Sequence, residues 1–272
     1  RTLIRFFGLA NPSVLWTMRV GMAVLSVSLV ATSFLAFRYS NHLVRFLYTG
    51  AASWLGIFYF FLLAAILAWI LYDLARMLHF PLDRRILIEV LIGMAFVSSL
   101  YGFTNAAVIR ITRIDVQLPG LSSSWKGKTV AWVSDTHLGQ VRNLGFARKI
   151  ATMVQDLHPD IVFVGGDLYD GEAVDVDKVI EPFSRISAPY GTYFITGNHE
   201  EFYDNTRYLQ AVRRAGMRVL YNEKVELDGL QIIGVDYRDS RREEQFKTIL
   251  EKMEINRHKP SLLLKHAPLT LS

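Results

Sequence analysis

Val130-Ala131-Trp132-Val133-Ser134-Asp135-Thr136-His137 is the stretch on which the reading of the whole chain turns. Its first half is a run of β-formers, and it then breaks into a carboxylate and an imidazole one residue apart. An apolar strand followed at once by Asp-x-His is how an α/β protein presents oxygen and nitrogen ligands at the carboxyl end of a strand, where such folds keep their sites. By itself the pattern is weak, because Asp and His beside a strand end are commonly turn and surface residues. Its weight comes from what repeats downstream.

Downstream, residues 144–157 carry Phe146, Ile150, Met153, Val154 and Leu157 on one helical face, and His158-Pro159-Asp160 stops that helix. Ile161-Val162-Phe163-Val164 reads as a buried strand running into Gly165-Gly166-Asp167, with Asp170-Gly171 just beyond. A helix is expected over 176–186, then a strand at Tyr193-Phe194-Ile195 that runs into Gly197-Asn198-His199-Glu200. A helix with Phe202, Tyr208, Leu209 and Val212 follows, then short strands around Val219, Val225 and Ile232-Ile233, a helix over 243–253, and a strand at Leu262-Leu263-Leu264 leading to His266. Strand after strand thus ends in ligand-type residues: Asp135 with His137, Asp167, Asn198 with His199, and His266. The first three of these ends are spaced by about 30 residues, the length of one β-α unit. Right-handed crossovers would line such strands up in one parallel sheet with their carboxyl ends on one edge. Oxygen and nitrogen donors without thiolate suit Mn, Fe, Zn or Ni, and a shared carboxylate suits two divalent ions.

Upstream the composition changes. The chain is 51% hydrophobic, and the excess lies before about residue 110. Stretches at about 14–37, 51–71 and 90–109 are each long and apolar enough to cross a bilayer. Trp16, Trp54, Tyr59, Trp69, Tyr72 and Tyr101 fall mostly near their ends, as an interfacial aromatic belt requires. Residues 1–110 therefore read as an anchor with three spans, and 111–272 as a second domain. Arg19 and Glu89 sit near span ends, where long side chains reach the interface. Arg76, Arg84 and Arg85 in the second loop outnumber Arg38 and Arg45 in the first by one, so the amino terminus and second loop are expected in the cytoplasm and the second domain outside it. Beyond the last span, residues 113–118 alternate Ile114, Val116 and Leu118 with polar residues and read as a half-buried strand, and Pro119-Gly120 as a turn. The net charge of +5 is scattered rather than striped, which argues against nucleic acid and suits an anionic membrane surface or a phosphate-bearing substrate. The chain has no cysteine, which excludes disulfides and thiolate metal sites.

Asp135-x-His137, Gly166-Asp167, Gly197-Asn198-His199-Glu200 and His266, in that order, resemble the calcineurin-like metallophosphoesterases, and the preceding spans resemble their membrane-anchored bacterial branch. The resemblance implies a double β-sheet sandwich flanked by helices, an α/β fold placed after the all-α transmembrane region. It implies that Asp135 and His137 hold a first metal, that Asp167 bridges two, that Asn198 and His266 hold the second, and that His199 protonates the leaving group. Asp170 and Glu200 are candidates to orient ligands or histidines, and Arg142 to touch a substrate phosphate. The activity implied is hydrolysis of a phosphomonoester, phosphodiester or pyrophosphate in the bacterial cell membrane. The short tether after the last span favours a lipid-linked or envelope substrate, and the oligomeric state stays open. The family pattern closes with a Gly-His-x-His block that gives each metal a further ligand. That block is not among these residues, and the chain, starting at Arg1 and ending at Ser272, is expected to be a segment of a longer protein. The rival expectation is a non-catalytic membrane sensor or assembly module that keeps the fold without a full metal site.

Overall fold

The structure is a computed structural model, and it describes residues 2–171, 174–201 and 205–268. Contacts divide the chain into two compact units, residues 1–36 with 41–114 and residues 37–40 with 115–272.

The first unit is helical: α1 (Thr2–Phe7), α2 (Pro12–Arg38), α3 (His42–Met77) and α4 (Arg84–Ala107). The last three of these are each long and apolar enough to cross a membrane. Their bounds follow local chemistry. The Asn41 side chain accepts from Val44 N–H at the start of α3, and Asp83 accepts from Arg85 and Ile86 N–H at the start of α4. α3 and α4 pack through Ala64 and Ala68 against Ile88, Leu91 and Ala95. Small side chains there let the two backbones approach, the usual basis of helix packing in lipid. Val24, Val27, Val30 and Phe34 on α2 are exposed, as are Phe96, Val97 and Leu100 on α4, which is the surface a hydrocarbon environment accepts. Glu89 does not meet Arg19; it pairs with Arg85 one turn away at 2.9 Å, on the helix surface.

The second unit is built on two sheets. Strands β1 (Val130–Val133), β2 (Ile161–Val164), β3 (Thr192–Phe194) and β4 (Arg218–Val219) form one parallel sheet in that order. Strands β5 (Glu223–Leu227), β6 (Leu230–Gly234) and β7 (Ser261–Leu264) form the other, with β5 antiparallel and β7 parallel to β6. The β5–β6 turn is Asp228-Gly229, both with positive φ (46° and 83°), the two-residue hairpin geometry that Asp-Gly favours. The strand ahead of His266 therefore lies in the second sheet, and the expectation of one parallel sheet for every ligand-bearing strand is corrected. β7 aligns instead beside β6, which the antiparallel hairpin had already turned. Ile161, Phe163, Tyr193 and Ile195 from the first sheet meet Val225, Leu230, Ile232 and Leu264 from the second in one buried cluster capped by Trp125. Burying each of these large side chains contributes about 1.5–3 kcal/mol, so the sheet-on-sheet core is what holds the strand ends in register.

Helices α5 (Leu144–Asp156), α6 (Val176–Ile180), α7 (Thr206–Arg214), α8 (Tyr237–Ser240) and α9 (Glu243–Lys252) complete this unit, with a 3-10 turn at Glu181–Arg185 extending α6. The helix expected over 176–186 is thus split: Pro182 at the start of the second part lacks the N–H that would continue the α pattern. Phe202 lies outside the described residues. The strand expected at 113–118 is not formed. Ile114 and Val116 are 78% and 69% exposed, and alternation alone cannot make a strand where no neighbour supplies hydrogen bonds.

Candidate metal centre

Where β1 ends, the backbone turns sharply. Asp135 and His137 have φ of 57° and 45°, and Asp167, where β2 ends, has φ of 50°. Side chains other than glycine pay about 1–2 kcal/mol for that region, so the turns are held by their surroundings. The Asp135 N–H donates to the Gly166 carbonyl at 3.1 Å, the His137 N–H to Asp167 at 3.0 Å, and the Leu138 N–H to Leu168 at 2.8 Å. The pairing of β1 with β2 is therefore carried past the strands into the loops. The loop after β3 comes equally close. A Cβ on Gly197 would stand 2.1 Å from Asp167 Oδ1, and one on Gly166 (φ 88°) would stand 2.5 Å from Gly197 N. Only glycine permits that approach.

Glu200 joins these loops from inside. It is fully buried. Its Oε2 accepts from Asp167 N–H (2.9 Å) and Gly197 N–H (2.8 Å), and its Oε1 from Leu168 N–H (2.9 Å) and Tyr169 N–H (3.1 Å). Burial pushes its pKa up, and the backbone N–H donors oppose that by favouring the ionised form. With both oxygens accepting two donors each, nothing here accepts a carboxyl proton. Glu200 reaches Asp167 through that residue's backbone rather than through its side chain.

The side chains converge on Asp167, which is 3% exposed. Its Oδ2 lies 3.5 Å from His266 Nε2, 3.7 Å from His137 Nε2 and 4.0 Å from His199 Nε2, and its Oδ1 accepts from His199 N–H at 2.9 Å. His266 Nδ1 is 2.8 Å from the Gly165 carbonyl, and His199 Nδ1 is 3.2 Å from the Asp170 carbonyl. A carbonyl only accepts, so Nδ1 carries the proton in both rings and Nε2 is turned toward Asp167. The donors fall into two groups, Asp135 with Asp167 and His266, and His137 with Asp170 and His199, each with ligand atoms within 4.8 Å of one another. Carboxylate and imidazole in such clusters are the donor set of a divalent transition metal, so the residues fit the group. His137 reaches both groups, since its Nε2 also lies 3.7 Å from Asp167 Oδ2. Asn198 is half-buried.

The charges are coupled. Burial raises the Asp167 carboxyl, but interaction with His266 and the His199 N–H holds it below the usual range. His266 is pushed up to about 9, by Asp167 first. His137 is also raised, by Asp170 first and against its own burial. Arg142, the candidate for substrate contact, donates from Nη1 to the carbonyls of Asp135 (3.0 Å) and Thr136 (3.3 Å), and its guanidinium lies over the Phe146 ring. It braces the loop after β1.

Sequence reasoning passed over Asp236 and the arginines that follow it. Asp236 is fully buried, and its side chain accepts from Arg238 N–H at the start of α8. Burial, and then the charge of Glu201, push its pKa up to about 6. A raised carboxyl stabilises the fold below its unfolded pKa of about 3.9, and that contribution is lost as pH rises through the folded value. Asp236→Asn is therefore expected to stabilise the protein at pH 8 by roughly 2 kcal/mol and to have little effect at pH 4. Thermal unfolding at the two pH values checks this, and an equal shift at both would reject it.

Comparison with known proteins agrees with this geometry. Residues 128–271 match the family model described as calcineurin-like phosphoesterase. A metallophosphoesterase of Campylobacter jejuni is 28% identical over 196 residues, 70% of this chain and 52% of that protein. A transmembrane protein with metallophosphoesterase domain from Danio rerio is 27% identical over 154 residues, 53% of this chain and 35% of its own length. The UDP-2,3-diacylglucosamine pyrophosphatase LpxG of Chlamydia muridarum is 30% identical over 94 residues, 34% of this chain and 29% of that one. The matches thus span about half or less of each relative. A match over more than half of the chain makes this protein a member of the calcineurin-like phosphoesterase family, hydrolases that use divalent metals.

Proposed function

We propose that the protein is a membrane-anchored, dinuclear metal-dependent phosphoesterase. In this reading residues 1–110 are the anchor, with the second domain on the extracytoplasmic side, and residues 111–272 carry the hydrolytic site. The observation that carries it is the convergence of His137, His199 and His266 on one buried carboxylate, Asp167. Asp135, His137, Asp167, Asn198 and His266 would hold two divalent ions, with Asp170 close enough to His137 and His199 to join or orient them. Bound there, the ions would supply Lewis-acid activation of water and of the phosphoryl oxygens. The protein's own part is to fix the donors. The Gly165 carbonyl holds the His266 tautomer, Glu200 holds the loop backbone, and Gly166 and Gly197 let the loops meet. His199, its Nδ1–H held on the Asp170 carbonyl, would give a proton to the leaving oxygen from Nε2 when the ring is doubly protonated. Phosphomonoester, phosphodiester and pyrophosphate bonds are the substrate bonds. The short segment after α4 and a relative named as a UDP-diacylglucosamine pyrophosphatase support a lipid-linked substrate.

The test uses the full chain purified in detergent with Mn²⁺. Metal content is measured, and turnover is followed on aryl phosphomonoester, aryl phosphodiester and diphosphate substrates. Turnover that requires metal is the expected result. Two bound metals with no turnover of any of them would assign the non-catalytic membrane module instead.

A further inference from the structure

Beside the metal centre, a cleft of about 470 Å³ is lined by Asn198, Glu201, Tyr237, Arg238, Arg241 and Arg242. Its far wall is α8 and the residues that link it to α9. Asn198 belongs to both the cleft and the loop that follows β3, so an occupant of the cleft is a neighbour of whatever the centre holds. The charges are not balanced within the protein. Arg238 is committed, 3.0 Å from the Glu201 carboxylate and donating to the Glu201 carbonyl at 3.2 Å. Asp239 is taken by Asn222 and Gln245, and Glu243 by Lys247. Arg241 meets the face of Tyr237 at 5.7 Å, and neither Arg241 nor Arg242 has an ion pair among the described residues. Exposed guanidinium groups in a concave wall present forked donors that match phosphate oxygens in pairs.

We infer that this cleft binds a second, uncleaved phosphate of the substrate. The inference rests on the phosphoesterase reading and narrows it. The preferred substrates carry two linked phosphates, one at the centre and one against Arg241 and Arg242, in place of a lone phosphate ester. Tyr237 closes the space between the two positions, its ring 5.7 Å from that of His266 and under the Arg241 guanidinium.

The experiment compares two substrates with the same aryl groups, di(p-nitrophenyl) phosphate and its diphosphate homologue, on full-length wild type and the Arg241→Ala/Arg242→Ala variant with Mn²⁺. The variant's loss of kcat/KM on the diphosphate is expected to exceed its loss on the monophosphate by about tenfold or more. Arg241→Lys/Arg242→Lys, which keeps charge but not the fork, should fall between. Equal losses on both substrates, or none on either, overturn the inference. If wild type turns over neither substrate, the phosphodiester and diphosphate parts of the phosphoesterase reading fail while the cleft is still judged by binding. With EDTA present, methylenediphosphonate should bind wild type about tenfold more tightly than the double alanine variant, and equal affinities overturn the inference on their own. Both arginines are exposed, and matched unfolding midpoints show that each variant is folded.

Discussion

Glu200→Gln is expected to destabilise the second unit by about 3–5 kcal/mol, the largest stability effect of any single substitution that preserves shape here. The reason is an inventory of donors. One carboxylate accepts from Asp167, Leu168, Tyr169 and Gly197 N–H. An amide in its place turns one accepting oxygen into an NH2. Whichever way that amide faces, two backbone N–H groups lose their acceptor and meet a donor. Each buried unsatisfied group costs about 1–3 kcal/mol, in a site that excludes water. A domain with a total stability of about 5–15 kcal/mol would lose a large part of it. Urea unfolding of wild type and variant gives the number directly. A change below about 1 kcal/mol would mean that the loops hold themselves without Glu200.

The second large effect falls on chemistry and leaves the fold standing. Asp167→Asn is expected to lower metal-dependent turnover by about a thousandfold and metal affinity by at least about tenfold. Asparagine adopts the left-handed backbone found at this position, and its carbonyl can still accept from the His199 N–H. What it lacks is the charge on which three imidazoles converge. Turnover assays, metal analysis and unfolding on one preparation separate the effects. A variant with wild-type turnover would remove Asp167 from the centre of the mechanism, and a variant that fails to fold would point to a structural role.

Much of this was readable in the sequence because it is local. The strands that end in Asp135, Asp167 and Asn198 are short apolar runs followed by glycine and ligand-type residues, and α5 follows its apolar period to within a residue of where it was expected. The mistakes were non-local. Residues 113–118 alternate like a strand, but alternation describes faces and says nothing of a partner. β7 looked like one more member of a parallel sheet, while the Asp228-Gly229 turn, legible in the sequence, announced the hairpin that begins a second one. Glu200 was legible as a residue that could orient ligands or histidines, but not its partners, which are backbone amides more than 30 residues earlier as well as Gly197. Arg238, Arg241 and Arg242 sit in a run of mixed charge that reads as solvated surface. Only the folded wall of the cleft gives them a common target.

The left-handed backbone at Asp135, His137 and Asp167 sets stability against function residue by residue. At each of these positions glycine would relieve roughly 1 kcal/mol of backbone strain and leave no ligand atom behind, but at Asp167 it would also strip the His199 N–H of its acceptor, which costs at least as much. Selection for thermal tolerance alone, in a library covering the Asp135 and His137 codons, should therefore enrich glycine and erase the centre, whereas selection for phosphoester hydrolysis should restore aspartate and histidine against that gradient. Those two codons would report which pressure a population had been under.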